Sequence, residues 1–290
     1  MTHDLSTVVF GQRFQNPVLL AAGTAGFGRE VAGVIDVDRL GGLVTKAVST
    51  EPRAGNRAPR VAEFPMGMLN SIGLANPGLA QVKAEQLPWL AANLRRARVL
   101  VNVVGFVEED FAAVITGLET EESIAAFEIN LSCPNTHAGG LEFGADPATV
   151  TAVLKLCRAR TRKPLLAKLS PVLTDIATMA LVARDAGADG VTVVNTIPGY
   201  LADSAGAPRL GNGSGGVSGP ALLPIGVLAV RKIMERSGGM PVIGVGGIRS
   251  AADARQYLRA GAALVAIGTA ALADPRVPER VVADLERHGG

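Results

Sequence analysis

Short apolar runs rich in β-branched residues alternate with longer amphipathic segments along the whole chain. Eight of these runs are strand candidates, at residues 18–22, 42–45, 99–103, 126–129, 165–168, 190–194, 242–245 and 264–267. Helical spacing of apolar positions fills 77–93, 108–117, 147–160, 175–186, 221–236 and 251–260. Consecutive apolar residues without polar alternation predict parallel strands covered on both faces. The glycines in 185–190 and 259–263 read as helix ends that run straight into the next strand. Eight such repeats predict one (β/α)8 barrel over residues 1–290, with no linker or low-complexity stretch to divide it. An open doubly wound sheet is the competing arrangement. Three connections are longer than a barrel needs, namely 46–76, 131–146 and 196–219, after strands 2, 4 and 6. They lie on the face where barrel enzymes put their sites, and long ordered loops there usually cover a ligand.

Composition narrows the classes. The 290 residues are 48% hydrophobic and 19% charged, enough for a large buried core. The formal charge of +2 gives no support for nucleic-acid binding. Two cysteines, Cys133 and Cys157, exclude a four-cysteine iron–sulfur site within the chain and indicate no disulfide framework. Three scattered histidines lack metal-ligand spacing. The first residues lack a basic region followed by an apolar core, and the apolar stretch at 262–273 is short and broken by glycine. Neither a signal peptide nor a membrane span is expected, and a cytoplasmic protein is the default.

Chemistry concentrates at the predicted strand ends. Asn130-Leu131-Ser132-Cys133-Pro134-Asn135 sets a thiol between two carboxamides where strand 4 meets its loop. A thiol there can accept a proton, and the amides can hold a planar polar ligand. Lys46, Asn102, Asn130, Lys168 and Asn195 fall at the ends of strands 2 to 6. The chain uses 22 Arg and only six Lys, so two lysines at strand ends suggest a compact charge beside a ligand rather than a solvated one. After strands 7 and 8, Gly246, Gly247, Gly268 and Thr269 would let the backbone approach a phosphate closely, and residues 215–220 are a further candidate anion contact. Flavin mononucleotide fits this outline, with Lys168 balancing negative charge on its ring; a sugar phosphate fits the tail equally well. His137, in the loop with Cys133, reads as a solvated residue, with a second base as the alternative, while Trp89 reads as a helix-packing residue and Cys157, in register with Val150 and Val153, as a core residue.

The same stretches resemble a known family. Residues 16–28, Lys46 with 51–56, 68–78, 130–135, 168–171, Asn195-Thr196, 215–220, Gly246-Gly247 and Gly268-Thr269 are similar to the class 1 dihydroorotate dehydrogenases, and within them to the class 1B catalytic subunit. The resemblance covers essentially the whole chain. It implies an FMN-binding (β/α)8 barrel that oxidises (S)-dihydroorotate to orotate in pyrimidine (UMP) synthesis. Cys133 would be the base for the C5 proton, with hydride passing from C6 to FMN. The substrate cradle would be Lys46, Asn70, Ser71, Ile72, Gly73, Leu74, Asn130, Asn135, Asn195 and Thr196. Flavin contacts would be Ala22, Lys46, Ala47, Asn102, Asn130, Lys168, Val194, Gly219, Gly246, Gly247, Gly268 and Thr269. Relatives often have Ser where Ala22 stands, so only a backbone contact carries over there. The resemblance further implies NAD as final acceptor through a partner subunit carrying FAD and [2Fe–2S], with a homodimer inside a heterotetramer. The competing readings are a fumarate-dependent class 1A enzyme, a dihydropyrimidine dehydrogenase-like reductase, a tRNA dihydrouridine synthase, and a non-catalytic phosphate-binding scaffold. The membrane-bound class 2 enzymes use serine as base, which this chain does not match.

Overall fold

A computed structural model describes residues 3–131 and 142–289. Eight parallel strands close into a barrel: β1 (Val18–Leu20), β2 (Gly42–Val44), β3 (Arg98–Val103), β4 (Ile124–Asn130), β5 (Leu165–Leu169), β6 (Gly190–Val193), β7 (Val242–Val245) and β8 (Leu264–Ile267). Each pairs with its sequence neighbours, and β8 closes on β1 through Ile267 opposite Leu20. All eight predicted strands are present, each shifted by at most two residues at an end. The doubly wound alternative is excluded by the closure.

Strand alternation divides the apolar residues between two layers. Leu19, Val44, Leu100, Ala126, Leu166, Ile243, Leu264 and Ala266 point inward and fill the barrel, together with Val9 and Phe14. Val18, Leu20, Leu43, Val101, Phe127, Ala167, Val191 and Val265 point outward against the helices. Val9 and Phe14 come from an N-terminal hairpin, Thr7–Val9 with Gln12–Phe14, that plugs the base. This hairpin was not predicted, because two three-residue strands are too short to set up a readable alternation.

The outer ring departs from eight equal units. Between β1 and β2 there is only a single 3-10 turn, Val37–Arg39. The predicted helices elsewhere are present, with Pro147–Arg158, Ile176–Asp185 and Leu222–Ser237 as examples. Asp146 and Asp175 cap two of them, their side chains accepting from Thr149 and Thr178 N–H. The C-terminal helix Val277–His288, which the sequence reading did not predict, packs against β1. Its apolar residues recur at helical spacing, but it lies beyond the last strand of the barrel pattern.

Two of the three long connections are more ordered than loops. Val61–Phe64 and Gly67–Asn70 from the β2 connection join Ile197–Tyr200 and Ser214–Ser218 from the β6 connection in a four-stranded antiparallel sheet. Gly216 sits opposite Asn70 and Ser218 opposite Met68. Glycine, proline or a polar residue interrupts each of these strands, so the sequence carries no apolar run of strand length to mark them. Among the described residues, no helix is long and apolar enough to cross a membrane.

Candidate active site

The antiparallel sheet stands over the C-terminal ends of the barrel strands and walls a cavity of about 680 Å³. Twelve of the predicted site residues line it: Ala22, Asn70, Ile72, Lys168, Val194, Asn195, Thr196, Gly219, Gly246, Gly247, Gly268 and Thr269. Lys46, Ala47, Ser71, Gly73, Leu74, Asn102 and Asn130 stand outside its wall. Cys133, Asn135 and His137 lie outside the described residues. A second concavity, about 790 Å³, opens at the opposite end of the barrel beside Arg98, Arg162 and Glu122. None of the strand-end polar groups reaches it, and barrels of this kind place chemistry at the other face.

Along β3, β4 and β5 the wall is built by side chains. Period-two alternation turns Asn102, Glu128 and Lys168 inward, one layer above Leu100, Ala126 and Leu166. Asn102 is opposite Glu128, and Asn130 is opposite Lys168. The Asn102 Nδ2 donates to Glu128 Oε1 at 2.7 Å, and Lys168 Nζ lies 3.5 Å from the same oxygen. Glu128 is 1% exposed and Lys168 6%. Burying either charge alone would be costly, so the pair stands or falls together. Of these three residues only Lys168 faces the cavity. Asn102 was expected to touch the ligand; its amide is instead committed to Glu128. Glu128 was not singled out in the sequence, although the alternation in Ala126-Phe127-Glu128-Ile129 turns it inward and a lone inward carboxylate needs a partner.

Other predicted residues hold one another. Asn70 Nδ2 donates to the Gly216 carbonyl at 3.1 Å, which ties two strands of the overlying sheet. Asn56 Nδ2 donates to Ser71 Oγ at 2.7 Å, so that hydroxyl is engaged outside the cavity. The Asn195 side chain accepts from the Thr196 N–H at 2.8 Å. The Lys46 N–H donates to the Gly26 carbonyl at 2.7 Å. Glu142, the first described residue after Leu131, is half-buried, and burial holds its carboxyl above the usual range.

Along β7 and β8 the wall is backbone. Gly246 and Gly247 follow β7 with φ of 123° and 74°, in the left-handed region that only glycine enters freely. An added Cβ at Gly247 would lie 2.6 Å from the Leu223 nitrogen. The Gly247 N–H has no hydrogen-bond partner among the described residues. After β8, Thr269 Oγ1 donates to Ser218 Oγ at 2.8 Å, joining this rim to the β6 connection.

Fold and site together define a (β/α)8-barrel enzyme whose cavity suits a ligand with an anionic tail and a planar polar head. Comparison with known proteins gives the family. The family model for dihydroorotate dehydrogenase matches residues 4–288, and the chain belongs to that family. The catalytic subunit of dihydroorotate dehydrogenase B (NAD(+)) from Pelobacter propionicus is 41% identical, over 99% of this chain and 94% of that one. Its counterpart from Desulforudis audaxviator is 44% identical, over 98% and 92%. A protein of Aquifex aeolicus, provisionally named dihydroorotate dehydrogenase A (fumarate), is 42% identical, over 98% and 92%. The crystal structure of DHODH from Eimeria tenella in complex with ferulenol superposes with a TM-score of 0.81, at 24% identity, over 97% of this chain and 83% of that one. The activity that goes with the family is flavin-dependent dihydroorotate dehydrogenation in pyrimidine biosynthesis.

Proposed function

We propose that this chain, one domain over residues 1–290, oxidises (S)-dihydroorotate to orotate on the way to UMP, with FMN held in the 680 Å³ cavity. One observation carries the reading. An ammonium, two carboxamides, a hydroxyl and two glycine turns converge on a single space, as Lys168, Asn70, Asn195, Thr196, Gly246-Gly247 and Gly268. The residues fit FMN, since the turns leave room and an N–H without a partner among the described residues for a phosphate, while Lys168 offers charge to a polar ring. Gly219, Gly246, Gly247, Gly268 and Thr269 would hold the phosphate end. Ala22, Lys168 and Val194 would hold the ring, with Lys46, Ala47 and Asn130 behind the cavity wall, while Asn102 is committed to Glu128. When bound, FMN supplies the acceptor for the hydride that leaves C6.

The chain's own residues do the remainder. Cys133 accepts the C5 proton, so that the C5–C6 double bond of orotate forms as proton and hydride depart. Asn70, Asn130, Asn135, Asn195 and Thr196, with the backbone of Ser71, Ile72, Gly73 and Leu74, orient the pyrimidine, and Lys46 meets its carboxylate side. The overlying sheet keeps water from the reacting atoms. A thiol accepts the proton as its thiolate, so the reaction is expected to be faster at alkaline pH.

Electrons then pass to NAD through a partner subunit with FAD and [2Fe–2S], in a heterotetramer built on a homodimer in the cytoplasm. The words "catalytic subunit" in the names of the relatives support a partner. The Aquifex aeolicus protein supports a second reading, with fumarate as acceptor and no partner. Purified protein is expected to be yellow and to bleach anaerobically with dihydroorotate. Reoxidation by NAD only in the presence of a co-expressed reductase subunit supports the first reading, and reoxidation by fumarate alone the second. Protein that stays colourless with added FMN overturns both.

A further inference from the structure

The glycine turn after β7 has a support that does not touch the cavity. Tyr257 lies on the helix Ala251–Arg259 and is completely buried. Its ring occupies the space left by the missing side chains of Gly226 and Gly244. Its hydroxyl donates its one proton to the Gly246 carbonyl, at 2.8 Å, with the Val245 carbonyl also near, at 3.0 Å. The peptide joining Gly246 to Gly247 is trans, so its carbonyl and N–H point in opposite directions. With the carbonyl turned onto Tyr257 in the interior, the Gly247 N–H is turned the other way, toward the cavity that both glycines line. Nothing else among the described residues bonds that N–H. Two glycines at positive φ would otherwise be free to rotate the peptide unit.

We infer that Tyr257 is a positioning residue for phosphate recognition: its hydroxyl fixes the Gly246–Gly247 peptide so that the Gly247 N–H is presented to the phosphate monoester of the cofactor. Burial first, and the Asp253 charge second, push the phenol above its ordinary range. It therefore remains a donor at every working pH. The inference rests on the FMN reading of the cavity.

Riboflavin, which is FMN without the phosphate, separates the two. Apoprotein would be titrated with each flavin by fluorescence quenching, unaltered and as Tyr257→Phe. Tyr257→Phe is expected to weaken FMN about tenfold, the size of one hydrogen bond, and to leave riboflavin affinity unchanged. Equal loss for both flavins, or no loss for FMN, overturns the role. Unaltered protein that takes up neither flavin overturns the FMN reading itself. Should Tyr257→Phe fail to fold, the chain's having only two tyrosines gives a second route. Tyr200→Phe protein labelled with 3-fluorotyrosine carries one 19F reporter, at residue 257. Its resonance is expected to shift with FMN or inorganic phosphate and not with riboflavin. A shift of the same size with riboflavin overturns the role.

Discussion

The two halves of the cavity rim solve one problem in opposite ways. The half above β3 to β5 presents side chains, with Lys168 at the front and Asn102 and Glu128 behind it. The half above β7 and β8 presents bare backbone at Gly246, Gly247 and Gly268. Each half leans on one buried residue outside the wall. Glu128 stands behind Lys168, and the Tyr257 hydroxyl stands behind Gly246. The difference lies in what each can tolerate. A side-chain wall is damaged by losing a charge or a proton acceptor. A backbone wall is damaged by gaining a single carbon atom. The proposed chemistry divides along the same line, with reaction on the side-chain half and cofactor retention on the glycine half.

The largest effect is expected from the segment that follows β4. Cys133→Ser should slow anaerobic flavin reduction by dihydroorotate by about 10²- to 10⁴-fold, the usual worth of a positioned base, with FMN content unchanged. Stopped-flow traces at unaltered speed would remove Cys133 from the mechanism. Gly247→Ala tests the other half. Alanine at φ 74°, with its Cβ 2.6 Å from the Leu223 nitrogen, should cost about 2–3 kcal/mol through strain and displacement of the turn. FMN should dissociate on desalting, while the fraction that remains loaded reacts at close to the ordinary rate. If this variant lowers the rate per bound flavin as far as Cys133→Ser does, the division between the halves is wrong.

Glu128→Gln probes the join between front and back. Glutamine still accepts from Asn102, but Lys168 loses its counter-charge. At these exposures the loss should destabilise the protein by about 2 kcal/mol in urea unfolding. That is below the range for a fully sealed pair, because Lys168 borders the cavity and can hydrate. One negative charge behind the cavity wall is also lost, so the midpoint potential of bound FMN is expected to rise. An unchanged potential in a folded, FMN-loaded variant would mean that Glu128 serves stability alone.

The barrel was legible because each of its strands lies in a short, mostly apolar run, and glycine or proline marks the ends of most of them. The glycine half of the rim was legible for a related reason: Gly246-Gly247 and Gly268 break those runs at their C-terminal ends. Lys168 and Asn195 stood out as polar groups at the same place. The supports did not stand out. Glu128 sits inside an apolar run, where its alternation is visible but its partners, Asn102 and Lys168, come from neighbouring strands 26 and 40 residues away. Tyr257 reads as one more apolar position on an amphipathic helix, and its target is a carbonyl, which no sequence displays. The overlying sheet was missed because its central pairing spans about 150 residues and its short strands are broken by glycine, proline or polar residues, with Ser218 opposite Met68. In each case the hidden part is a polar contact between separate elements, whereas the visible part is a local pattern.

The smallest effect concerns the thiol that belongs to neither half. Cys157 is fully buried on the helix Pro147–Arg158, and burial pushes its pKa up to about 12 against a weaker downward pull from Arg158. A thiol raised in the folded state and ordinary in the unfolded state favours folding fully below about pH 8.5, and that contribution is lost as pH rises toward about 12. Two outcomes are expected. In native protein at pH 8, a thiol reagent should leave Cys157 unmodified and reach it only in denaturant, so any native labelling is that of Cys133. Cys157→Ala should lower stability at pH 7 by about 1 kcal/mol through the small void it leaves. The deficit should shrink between pH 9 and 12, where the unaltered chain begins to suffer from its buried thiol. A deficit that stays constant across that range would show that Cys157 ionises as easily folded as unfolded, and native labelling could then no longer be assigned to Cys133 alone.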